Sequence, residues 1–479
     1  MAKTITIDPV TRIEGHAKIT IHLDDADQVA DAKMHVTQFR GFERFIEGRP
    51  LTEMPSLMAR ICGICPVSHL VASAKACDDL LAVEVPPVAV KLRKLMNLAQ
   101  LVQSHALSFF HLSSPDLMLG MDADPATRNV FGLIQKHPEL ARDGVMLRKF
   151  GQHVIELLGG KRIHPSWIVS GGVNAPLDSA KRDEILAMLP DAMDMATRTL
   201  EWYGTIVNDY ADEIASFANF ESLFLGLVDA NEQLEHYDGR LRMANVDGQA
   251  VATTDARHYG GIIGEAVEPW TYLKFPYYKP HGYPGGIYRV GPLARLNIVK
   301  RCGTPRADEA LAQFRFHHHK QRQSSFHYHY ARLIEIVYGL EMIYRLLADD
   351  DILDDFVRAR ARPNRFEGVG VSEAPRGTLI HHYAIDRNGL MKWANLIIAT
   401  GHNNLAINHG IAQVARRFVD GRRLSEGMLN RVEAVVRAFD PCLSCSTHAL
   451  GQMPLNIELH DAAGQIVDRI ARPDEAGAA

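Results

Sequence analysis

The sequence has few cysteines and no long apolar run, and each shortage excludes a class of protein. Six cysteines among 479 residues are too few for the disulfide framework of a small secreted domain, which favours a reducing compartment. No uninterrupted apolar stretch reaches the roughly 18 residues of a membrane span. The start of the chain, from Met1 to Asp8, lacks the basic region and apolar core of a secretory signal. We therefore expect a cytoplasmic protein with no membrane span.

Strong charge of either sign is also missing. The chain carries 52 Lys and Arg against 57 Asp and Glu, a formal net charge of −5, and it has no basic tract. Nucleic-acid-binding domains are usually basic, with Lys and Arg clustered on one face, so we expect no nucleic acid partner. The 47% hydrophobic content is typical of a globular protein with a large core. Without an internal repeat or a low-complexity linker, the chain is predicted to form one large domain with an insertion.

Four of the six cysteines form two C-x-x-C pairs at opposite ends of the chain. Cys62 and Cys65 make the first pair, and Cys442 and Cys445 make the second, 377 positions later (442 minus 65). Thiolates are soft donors suited to zinc, nickel, copper(I) and iron–sulfur centres. Such pairs most often hold structural zinc, but zinc ribbons usually close within a few tens of residues. The long separation favours a four-thiolate site in a domain core, with structural zinc as the open alternative.

The hydrophobic pattern predicts an α+β fold that is mainly helical, with small β-sheets at the N-terminus, in an insertion and near the C-terminus. Alternation predicts strands at Ile5, Ile7, Ile19, Ile21 and Leu23, with Asp24 to Asp27 as a hairpin turn. Apolar stripes predict helices through Leu92 to Val102, through Leu333 to Leu347, and from the N-cap Ser425 to just before Asp440. Asn388-Gly389 predicts a hairpin within Leu379 to Ile398, and Pro269 to Pro292 an irregular excursion.

Five short motifs identify a family. They are, in order, Asp8-Pro9-Val10-Thr11-Arg12-Ile13-Glu14-Gly15-His16, Arg40-Gly41-Phe42-Glu43, Arg60-x-Cys62-Gly63-x-Cys65, Glu373-Ala374-Pro375-Arg376-Gly377 and Asp440-Pro441-Cys442-x-x-Cys445-x-x-His448. By these motifs the chain resembles the large subunit of a nickel–iron hydrogenase over nearly its whole length. The segments Ala394 to Thr400 and Cys442 to Gly451 resemble the bidirectional NAD-linked cytoplasmic members. A zinc protein would have no reason to carry the other three motifs.

The resemblance implies the ligands of the metals. All four thiolates bind nickel, and Cys65 and Cys445 also bridge to an iron that carries CO and cyanide. Cys62 and Cys442 are then terminal ligands. A terminal thiolate is a suitable base for the proton of H2, because the metal sets its pKa, and Cys442 takes that role.

Glu14 matches the residue that relays this proton in the family. A proton released in a dry core needs a carboxylate close enough to accept it. The alternative is structural: Glu14 forms a buried ion pair with Arg12 or Arg60.

Three further residue sets are implied around the metals. Arg376, with Ala374 and Pro375 before it, is expected above the metal pair near the cyanides, where a fixed cation can polarise H2. Thr400 resembles the hydroxyl donor to a second cyanide, although by pattern alone it is an ordinary strand residue. Glu43 and His448 resemble ligands of a magnesium ion, with a backbone carbonyl near Leu396; magnesium keeps several waters and needs few side chains. For His448 the alternative is an ordinary core histidine.

Other conspicuous residues are expected to be structural. His317 to His319 and the pair His327 and His329 are interpreted as solvated histidines on a helix face. Cys77 and Cys302 are expected to be buried small hydrophobic residues. His69 is expected beside the ligands rather than among them. Ser104 stands where many respiratory relatives carry Asp, so a carboxylate over the metals is expected to be missing.

Electrons must leave through another polypeptide. Cys77 and Cys302 are too few to hold an iron–sulfur cubane, and Gly368-x-Gly370 lacks the third glycine of a dinucleotide fingerprint. The resemblance implies two partners, an iron–sulfur small subunit, together with a diaphorase module that carries FMN and reduces NAD. A different carrier, NADP or a deazaflavin, and an H2-sensing regulatory role are the open alternatives.

Residues 449–479 follow the last motif and are expected to be an extension of the catalytic domain, residues 1–448. In the family such an extension is removed by a dedicated endopeptidase after nickel-insertion proteins have delivered the metal. Leu455, Ile457 and Leu459 alternate, and Ile466 to Ile470 returns after a turn, which predicts a hairpin. We expect this hairpin to hold the second cysteine pair away from the first, with the last loop open, while all 479 residues are present.

Overall fold

The computed structural model describes residues 3–315 and 322–448, together with the backbone of residues 456–460 and 466–471. Helices form most of the body, as the sequence predicts. Within the described ranges no helix is both long and apolar enough to cross a bilayer. The α-helices of this part of the chain are α1 Phe42–Phe45, α2 Met54–Met58, α3 Pro66–Leu81, α4 Pro87–Ala106, α5 Ser114–Leu119, α6 Val130–Lys136, α7 Pro138–Gly159, α8 Ser179–Ile206, α9 Ala211–Ser216, α10 Pro292–Ile298, α11 Pro305–Arg315, α12 Tyr328–Leu347, α13 Ala399–His402, α14 Asn404–Phe418 and α15 Glu426–Phe439.

The strands form small, separate sheets. β1, β2 and β3 make an antiparallel sheet at the N-terminus, and β12, β13 and β14 make another near the site described below. β11 lies parallel to β6 at the edge of a third sheet that continues through β7 and β8. The strands are β1 Thr4–Ile7, β2 Ala17–Leu23, β3 Val29–Val36, β4 Ile168–Val169, β5 Gly172–Val173, β6 Leu223–Val228, β7 Arg240–Ala244, β8 Ala250–Thr254, β9 Ile263–Ala266, β10 Phe275–Tyr278, β11 Tyr288–Arg289, β12 Glu367–Ala374, β13 Gly377–Ile385, β14 Met391–Ile397, β15 Asn456–His460 and β16 Ile466–Ala471.

The three helices predicted from apolar stripes are confirmed as α4, α12 and α15. Leu92, Leu95 and Val102 of α4 are fully buried, and so are Leu340 and Ile343 of α12. These two helices pack against each other in the main core. Burial of their apolar faces, rather than helix propensity alone, stabilises such helices.

The predicted hairpin turn at Asp24 to Asp27 is confirmed, because it joins β2 to β3, which pair antiparallel. β12, which pairs with β13, escapes the sequence pattern. β12 contains Gly368 and Gly370, and glycine weakens the β-propensity of a segment.

The glycines of β12 have a packing reason. A Cβ at Gly370 would lie 2.0 Å from the carbonyl oxygen of Ala72, and a Cβ at Gly368 would lie 2.5 Å from that of Ala76. β12 therefore lies directly on the backbone of α3. Because α3 begins after Cys65 and β12 ends before Arg376, this close approach brings the first cysteine pair and Arg376 into one region.

The two ends of the described body also meet. Glu14 and Cys442 form an isolated parallel β-bridge, in which the amide of Leu443 donates to the carbonyl of Glu14 at 3.2 Å. β15 and β16 pair antiparallel, which confirms the hairpin predicted in residues 449–479; its turn lies outside the described residues.

Candidate metal centre

The first cysteine pair is held by its own segment. Cys65 is the N-cap of α3, and Pro66 occupies the first turn. The sulfur of Cys62 accepts hydrogen bonds from the amides of Ile64 at 3.2 Å and Cys65 at 3.1 Å. A helix N-terminus and amide donors both favour a thiolate over a thiol.

The second pair is held by distant residues. It lies on the loop after α15, where Asp440 ends the helix in a left-handed conformation, φ 52° and ψ 58°. The amide of Cys442 donates to the hydroxyl oxygen of Thr400 at 2.8 Å, and the amide of Ser444 donates to the Glu14 carboxylate at 3.1 Å. The residue type of Thr400 had suggested a strand, but Thr400 lies in the short helix α13.

The four sulfur atoms converge in the core. All lie within 4.8 Å of one another, and none of the four residues is more than 4% exposed. The Cys62 and Cys442 sulfurs are 3.4 Å apart, and the Cys65 and Cys445 sulfurs are 3.8 Å apart. The Cys442 and Cys445 sulfurs are only 2.7 Å apart, closer than the separation of about 3.8 Å in a tetrahedral centre with metal–sulfur bonds of about 2.3 Å. The four soft donors therefore lie within reach of one metal ion, although the second pair is closer together than a bound ion would hold it.

The electrostatics of the thiols point the same way. Hydrogen bonds from Cys442, Cys445 and Cys62 lower the pKa of Cys65 well below its usual value. Burial raises the pKa of Cys442 and of Cys445 well above the usual value. Four neighbouring thiols in a dry core cannot all ionise without a compensating cation. A metal ion bound to the four sulfurs would supply that charge.

Arg376 lies at the tip of the two-residue turn between β12 and β13, and it is 2% exposed. Its Nε donates to the carbonyl of Asp440 at 2.6 Å, and its Nη2 donates to the Asp440 carboxylate at 3.1 Å. Burial alone would lower the pKa of Arg376, but Asp440 and the thiols, of which Cys442 acts most strongly, outweigh burial and hold the pKa well above its usual value. The turn thus presents a permanent cation to the cysteines.

Asp440 is a site residue that sequence reasoning missed. The sequence suggested that a carboxylate is lacking here because Ser104 replaces an aspartate; the hydroxyl of Ser104 does accept a hydrogen bond from Arg376 Nη1, at 3.3 Å. Asp440 supplies a carboxylate to the same guanidinium from the second cysteine motif. Burial raises the pKa of Asp440, against the opposing effect of Arg376. Its position two residues before Cys442 was the available signal.

Glu14 is half-buried beside the second pair. The proposed alternative, an ion pair with Arg12 or Arg60, is not found: in residues 3–315 and 322–448 no ion pair includes Glu14, and Arg12 pairs with Asp116. Arg60 is exposed. The carboxylate of Glu14 instead accepts the amide of Ser444.

A buried ionic network supports this junction. Arg437 of α15 contacts Asp116 at 2.6 Å and Glu433 at 2.7 Å, and it donates to the carbonyl of Thr11 at 3.1 Å. The network ties the helix that precedes the second pair to the segment that carries Glu14. The sequence motifs contain Thr11 and Arg12 but gave no sign of their partners.

Glu43 and His448 belong to one contact region. The amides of Arg40 and Gly41 donate to the carbonyl of Thr447, and the amide of Phe42 donates to Nδ1 of His448 at 3.4 Å. Glu43 is 6% exposed, and it accepts the amide of Leu396 at 2.9 Å. Burial lowers the pKa of His448 to about 3, so the imidazole is neutral. Its Nε2 has no hydrogen-bond partner within the described ranges.

His69 belongs to a buried chain of polar side chains. Its Nδ1 lies 3.2 Å from Nε2 of His381, whose Nδ1 lies 2.6 Å from the hydroxyl of Tyr383. Tyr383 in turn donates to Ser73 at 2.9 Å. The chain orients the His69 ring beside the first cysteine pair.

Of the residues expected to be structural, the two lone cysteines are buried as expected, and the two described histidines are not solvated. Cys77 and Cys302 are buried, as expected, and burial raises the pKa of each thiol well above its usual value. The interpretation of His327 and His329 as solvated is wrong: they are 6% and 3% exposed. Both lie where the start of α12 packs under α15, so a helical position beside a stripe was mistaken for a surface position. His317 to His319 lie outside the described residues.

The expected effect of the C-terminal extension is also corrected. The backbone of β15 and β16 is part of the structure, yet the four sulfurs are together and His448 is 1% exposed. The hydrogen bonds of the second pair to Thr400 and Glu14 hold the last loop closed. The extension therefore does not separate the two cysteine pairs.

Several known proteins are similar to this chain in sequence and in fold. A family profile described as nickel-dependent hydrogenase matches residues 40–136 and 231–448, and one described as HoxL-like matches residues 4–39. The beta chain of the NAD-reducing hydrogenase HoxS of Cupriavidus necator is 44% identical, over 98% of this chain and 100% of its own length. A polypeptide of the F420-non-reducing hydrogenase of Methanothermobacter thermautotrophicus is 41% identical, over 97% and 99%. The crystal structure of an NAD+-reducing [NiFe]-hydrogenase in the H2-reduced state superposes with a TM-score of 0.90 at 45% identity, covering 93% of this chain and 99% of that chain.

Proposed function

The chain belongs to the nickel-dependent hydrogenases, as a large subunit with a four-cysteine metal site, and we propose that it catalyses the reversible oxidation of H2 with NAD as the final acceptor. The observation that carries this proposal is the convergence of the four buried sulfurs near the buried Arg376 guanidinium, whose pKa the thiols help to raise. Four thiols beside a cation would also suit zinc, because a zinc tetrathiolate carries net negative charge. The match to the nickel-dependent hydrogenase profile over residues 40–136 and 231–448 favours nickel.

We assign all four cysteines as the residues that would hold nickel, and Cys65 and Cys445 as those that would also hold an iron carrying CO and cyanide. When bound, this metal pair supplies the electrophilic centre at which H2 is polarised and which receives its two electrons. Ala374, Pro375 and Arg376 would contact the diatomic ligands, and the hydroxyl of Thr400 would donate to one of them. Thr400 already accepts the amide of Cys442, so its own proton is free to be donated.

Cys442 is the base for the first proton. Arg376 is fixed by Asp440, two residues before Cys442, and its charge favours a thiolate there. A fixed cation also stabilises charge that separates as H2 is cleaved, without reorganisation.

Glu14 accepts the proton from Cys442. Its backbone lies against Cys442 in the β-bridge, and its carboxylate is tied to the amide of Ser444. Because Glu14 is half-buried and the thiols are buried, the carboxylate lies between the core and the surface of this chain. Such a position suits a relay.

We propose that Glu43 and His448 hold magnesium near the end of the catalytic domain. The carboxylate is buried and the imidazole is neutral, as a metal ligand must be. The resemblance also implies a backbone carbonyl near Leu396 as a contact of the ion. The group of Leu396 that contacts Glu43 is its amide, which donates to the carboxylate.

The electrons leave through an iron–sulfur small subunit to a flavin-containing diaphorase module that reduces NAD. The identity to the NAD-reducing relative of Cupriavidus necator, over its full length, supports NAD. The alternative is a different carrier, either NADP or a deazaflavin such as F420. The relative from Methanothermobacter thermautotrophicus is nearly as similar as the NAD-reducing one, and its name mentions no NAD, which keeps a carrier other than NAD open. The same name states that F420 is not the acceptor of that relative.

One experiment separates the carriers. The purified complex is supplied with H2 and, in parallel, with NAD, NADP, F420 or an artificial viologen acceptor. We expect viologen and NAD to be reduced at comparable rates. Reduction of viologen together with NADP or F420, but not NAD, would leave the hydrogenase assignment intact and replace the carrier. Exchange of isotopes between D2 and water without reduction of any carrier would favour the H2-sensing role.

Metal content tests the centre itself. We expect one nickel per chain and infrared bands from CO and cyanide; one zinc per chain without such bands contradicts the proposal. Intact mass of the active large subunit tests the proposed removal of residues 449–479 by an endopeptidase. A fully active chain that still ends at Ala479 would contradict that removal.

A further inference from the structure

A second buried guanidinium lies behind the turn that carries Arg376. Arg295 of α10 is fully buried, and it makes five hydrogen bonds, as many as it has N–H groups. Nε and Nη2 donate to the two carboxylate oxygens of Glu335 at 2.6 and 2.7 Å, and Nη1 donates to Glu373 at 2.8 Å. The other two bonds go to main-chain carbonyls, Ala374 at 3.0 Å and Pro375 at 3.2 Å.

Those two carbonyls belong to the residues directly before Arg376. Ala374 closes β12, and Pro375 and Arg376 form the turn to β13. Most tight turns lie at the surface, where water satisfies their carbonyls, but this turn is buried. A buried carbonyl needs a protein donor, and Arg295 is that donor for both residues.

The backbones of the two segments also touch. A Cβ at Gly291 would lie 2.6 Å from the carbonyl oxygen of Arg376, and a Cβ at Gly377 would lie 2.3 Å from the side chain of Val290. Both glycines have positive φ, +96° and +135°. α10 begins immediately after Gly291 and carries Arg295 in its first turns. The segment from Gly291 to Arg295 therefore contacts three consecutive residues of the turn.

α4 contacts the same assembly through two consecutive residues. His105 lies 2.8 Å from the Glu335 oxygen that Arg295 also contacts, and the preceding residue, Ser104, accepts from the guanidinium of Arg376. Burial lowers the pKa of His105 to about 4, so His105 is neutral at physiological pH. The two carboxylates that surround Arg295 thus face one permanent cation.

We propose that Arg295 is a positioning residue for Arg376: by holding the carbonyls of Ala374 and Pro375, it fixes the direction in which the Arg376 side chain leaves the turn toward the four thiols. The inference rests on the proposed role of Arg376 in H2 cleavage. A purely structural role for Arg295 would be charge balance for Glu335 and Glu373. An ammonium group can balance charge, but it cannot reproduce the planar fork that reaches two carboxylates and two carbonyls together.

The test compares Arg295→Lys with a matched control in the purified hydrogenase complex. Arg93 is equally buried and donates to Asp78 and to the carbonyls of Gly172 and Val169, so Arg93→Lys makes the same chemical change away from the turn. Three quantities are measured: nickel per chain, turnover per nickel, and amide hydrogen exchange in peptides that cover residues 370–380.

We expect Arg295→Lys to keep nickel, to lower turnover per nickel by about 10- to 100-fold, as small misplacements of a catalytic group do, and to speed amide exchange at the turn. Arg93→Lys should leave turnover per nickel and exchange at the turn near wild type. Wild-type turnover per nickel in Arg295→Lys would overturn the proposal, even with faster exchange. Amide exchange needs no metal, so it remains readable if the proposed function fails; unchanged exchange at the turn then overturns the positioning role by itself.

A double-variant cycle decides whether Arg295 acts through Arg376. If it does, adding Arg295→Lys to Arg376→Lys should cost less than about twofold in isotope exchange, because the coupled residues share one effect. Losses that multiply would overturn the proposal. Should Arg295→Lys accumulate poorly, Glu335→Gln keeps Arg295 but removes a charge that orients it. It should change the same readouts in the same direction by a smaller factor, and no change in either readout would overturn the proposal.

Discussion

The two cysteine pairs share one centre but are held in opposite ways. The first pair is supported by its own backbone, because Cys62 accepts the amides of Ile64 and Cys65 at the start of α3. The second pair depends on residues far away in sequence. Thr400 accepts the amide of Cys442, and Glu14 accepts the amide of Ser444, which is 430 positions distant.

The difference shows where the sequence information for a metal site resides. A locally supported pair is recognisable from a short motif, and its geometry follows from the helix it starts. A pair supported from a distance has the same motif, but its geometry depends on the whole fold. We therefore expect the two pairs to be equal as ligands and unequal in their sensitivity to substitutions elsewhere.

The largest effect should be the same for both pairs. Cys62→Ser and Cys442→Ser each replace a soft donor by a hard one, and we expect nickel binding and H2 uptake to fall below detection. Cys77→Ser and Cys302→Ser are the controls, since both thiols are buried outside the cluster. Nickel analysis and H2-uptake assays on the four variants would refute the assignment if Cys77 proved essential and Cys442 dispensable.

Glu14→Gln should separate catalysis from support. The amide side chain keeps an oxygen for the Ser444 amide but cannot exchange a proton, so the second pair stays in place. We expect nickel to be retained and turnover to fall by at least ~10²-fold, the usual contribution of a positioned acid–base group.

The loss of proton transfer in Glu14→Gln is measured as the rate of isotope exchange between D2 and water, per nickel. Glu47→Gln, at a half-buried glutamate that pairs with Arg44, is the control. Normal exchange in fully loaded Glu14→Gln would assign the relay to another group.

Thr400→Val tests the distant support directly. It leaves the buried amide of Cys442 without an acceptor, which costs about 1–3 kcal/mol, and so loosens the second pair. Thr400→Ser keeps the hydroxyl. We expect the valine variant to lose nickel to a chelator about tenfold faster than the serine variant. Equal rates would mean that the second pair is as self-supporting as the first.

The smallest effect concerns acid. Burial lowers the pKa of His329 to about 3, below the value of about 6.5 in an unfolded chain. Between these values the unfolded state binds a proton that the folded state does not, so stability falls as pH drops. His329 lies at the start of α12, beside Arg332, which donates to the Ala438 carbonyl at the end of α15 at 2.6 Å.

His329→Gln should remove this contribution. The free energy of unfolding of the variant, from denaturant titrations at pH 7, 6 and 5, should fall less steeply than that of the wild type. The expected difference is at most about 1.4 kcal/mol per pH unit. His281→Gln, at an exposed histidine, serves as the control. If the free energy of unfolding of His329→Gln and of wild type fell in parallel with pH, His329 would be protonated equally in the folded and the unfolded state.

Much of the fold was predictable where one face of an element is buried. α4, α12 and α15 have apolar stripes of helical period, and the β13–β14 hairpin has Asn388-Gly389 at its turn. β12 was missed because its glycines serve close packing on α3, and that requirement is invisible until the partner helix is known. His329 was misjudged for the same reason, since a neighbouring helix covers the face that it occupies.

In the candidate site too, residues in a short motif were predictable and residues that meet only in the folded chain were not. The four cysteines were predictable from their types and spacing, and the structure brings them together. The roles of Glu14, Glu43, Arg376, Thr400 and His448 remain predictions that rest on resemblance. Asp440 and Arg295 were not found, because the contact of each with the Arg376 turn joins segments that are distant in sequence.

The β-bridge between Glu14 and Cys442 has a consequence for biosynthesis. A ribosome releases the N-terminal residue of that bridge at the start of translation and the C-terminal residue near its end, and domains fold as the chain emerges. α3 emerges early, but β12, which lies on α3, and Arg376 and Thr400, which contact the second cysteine motif, emerge only after most of the chain has been made. Closing contacts across such sequence distances is slow. The four-sulfur cluster therefore cannot form until Cys442 and Cys445 have left the ribosome, and a chain truncated before them cannot assemble it.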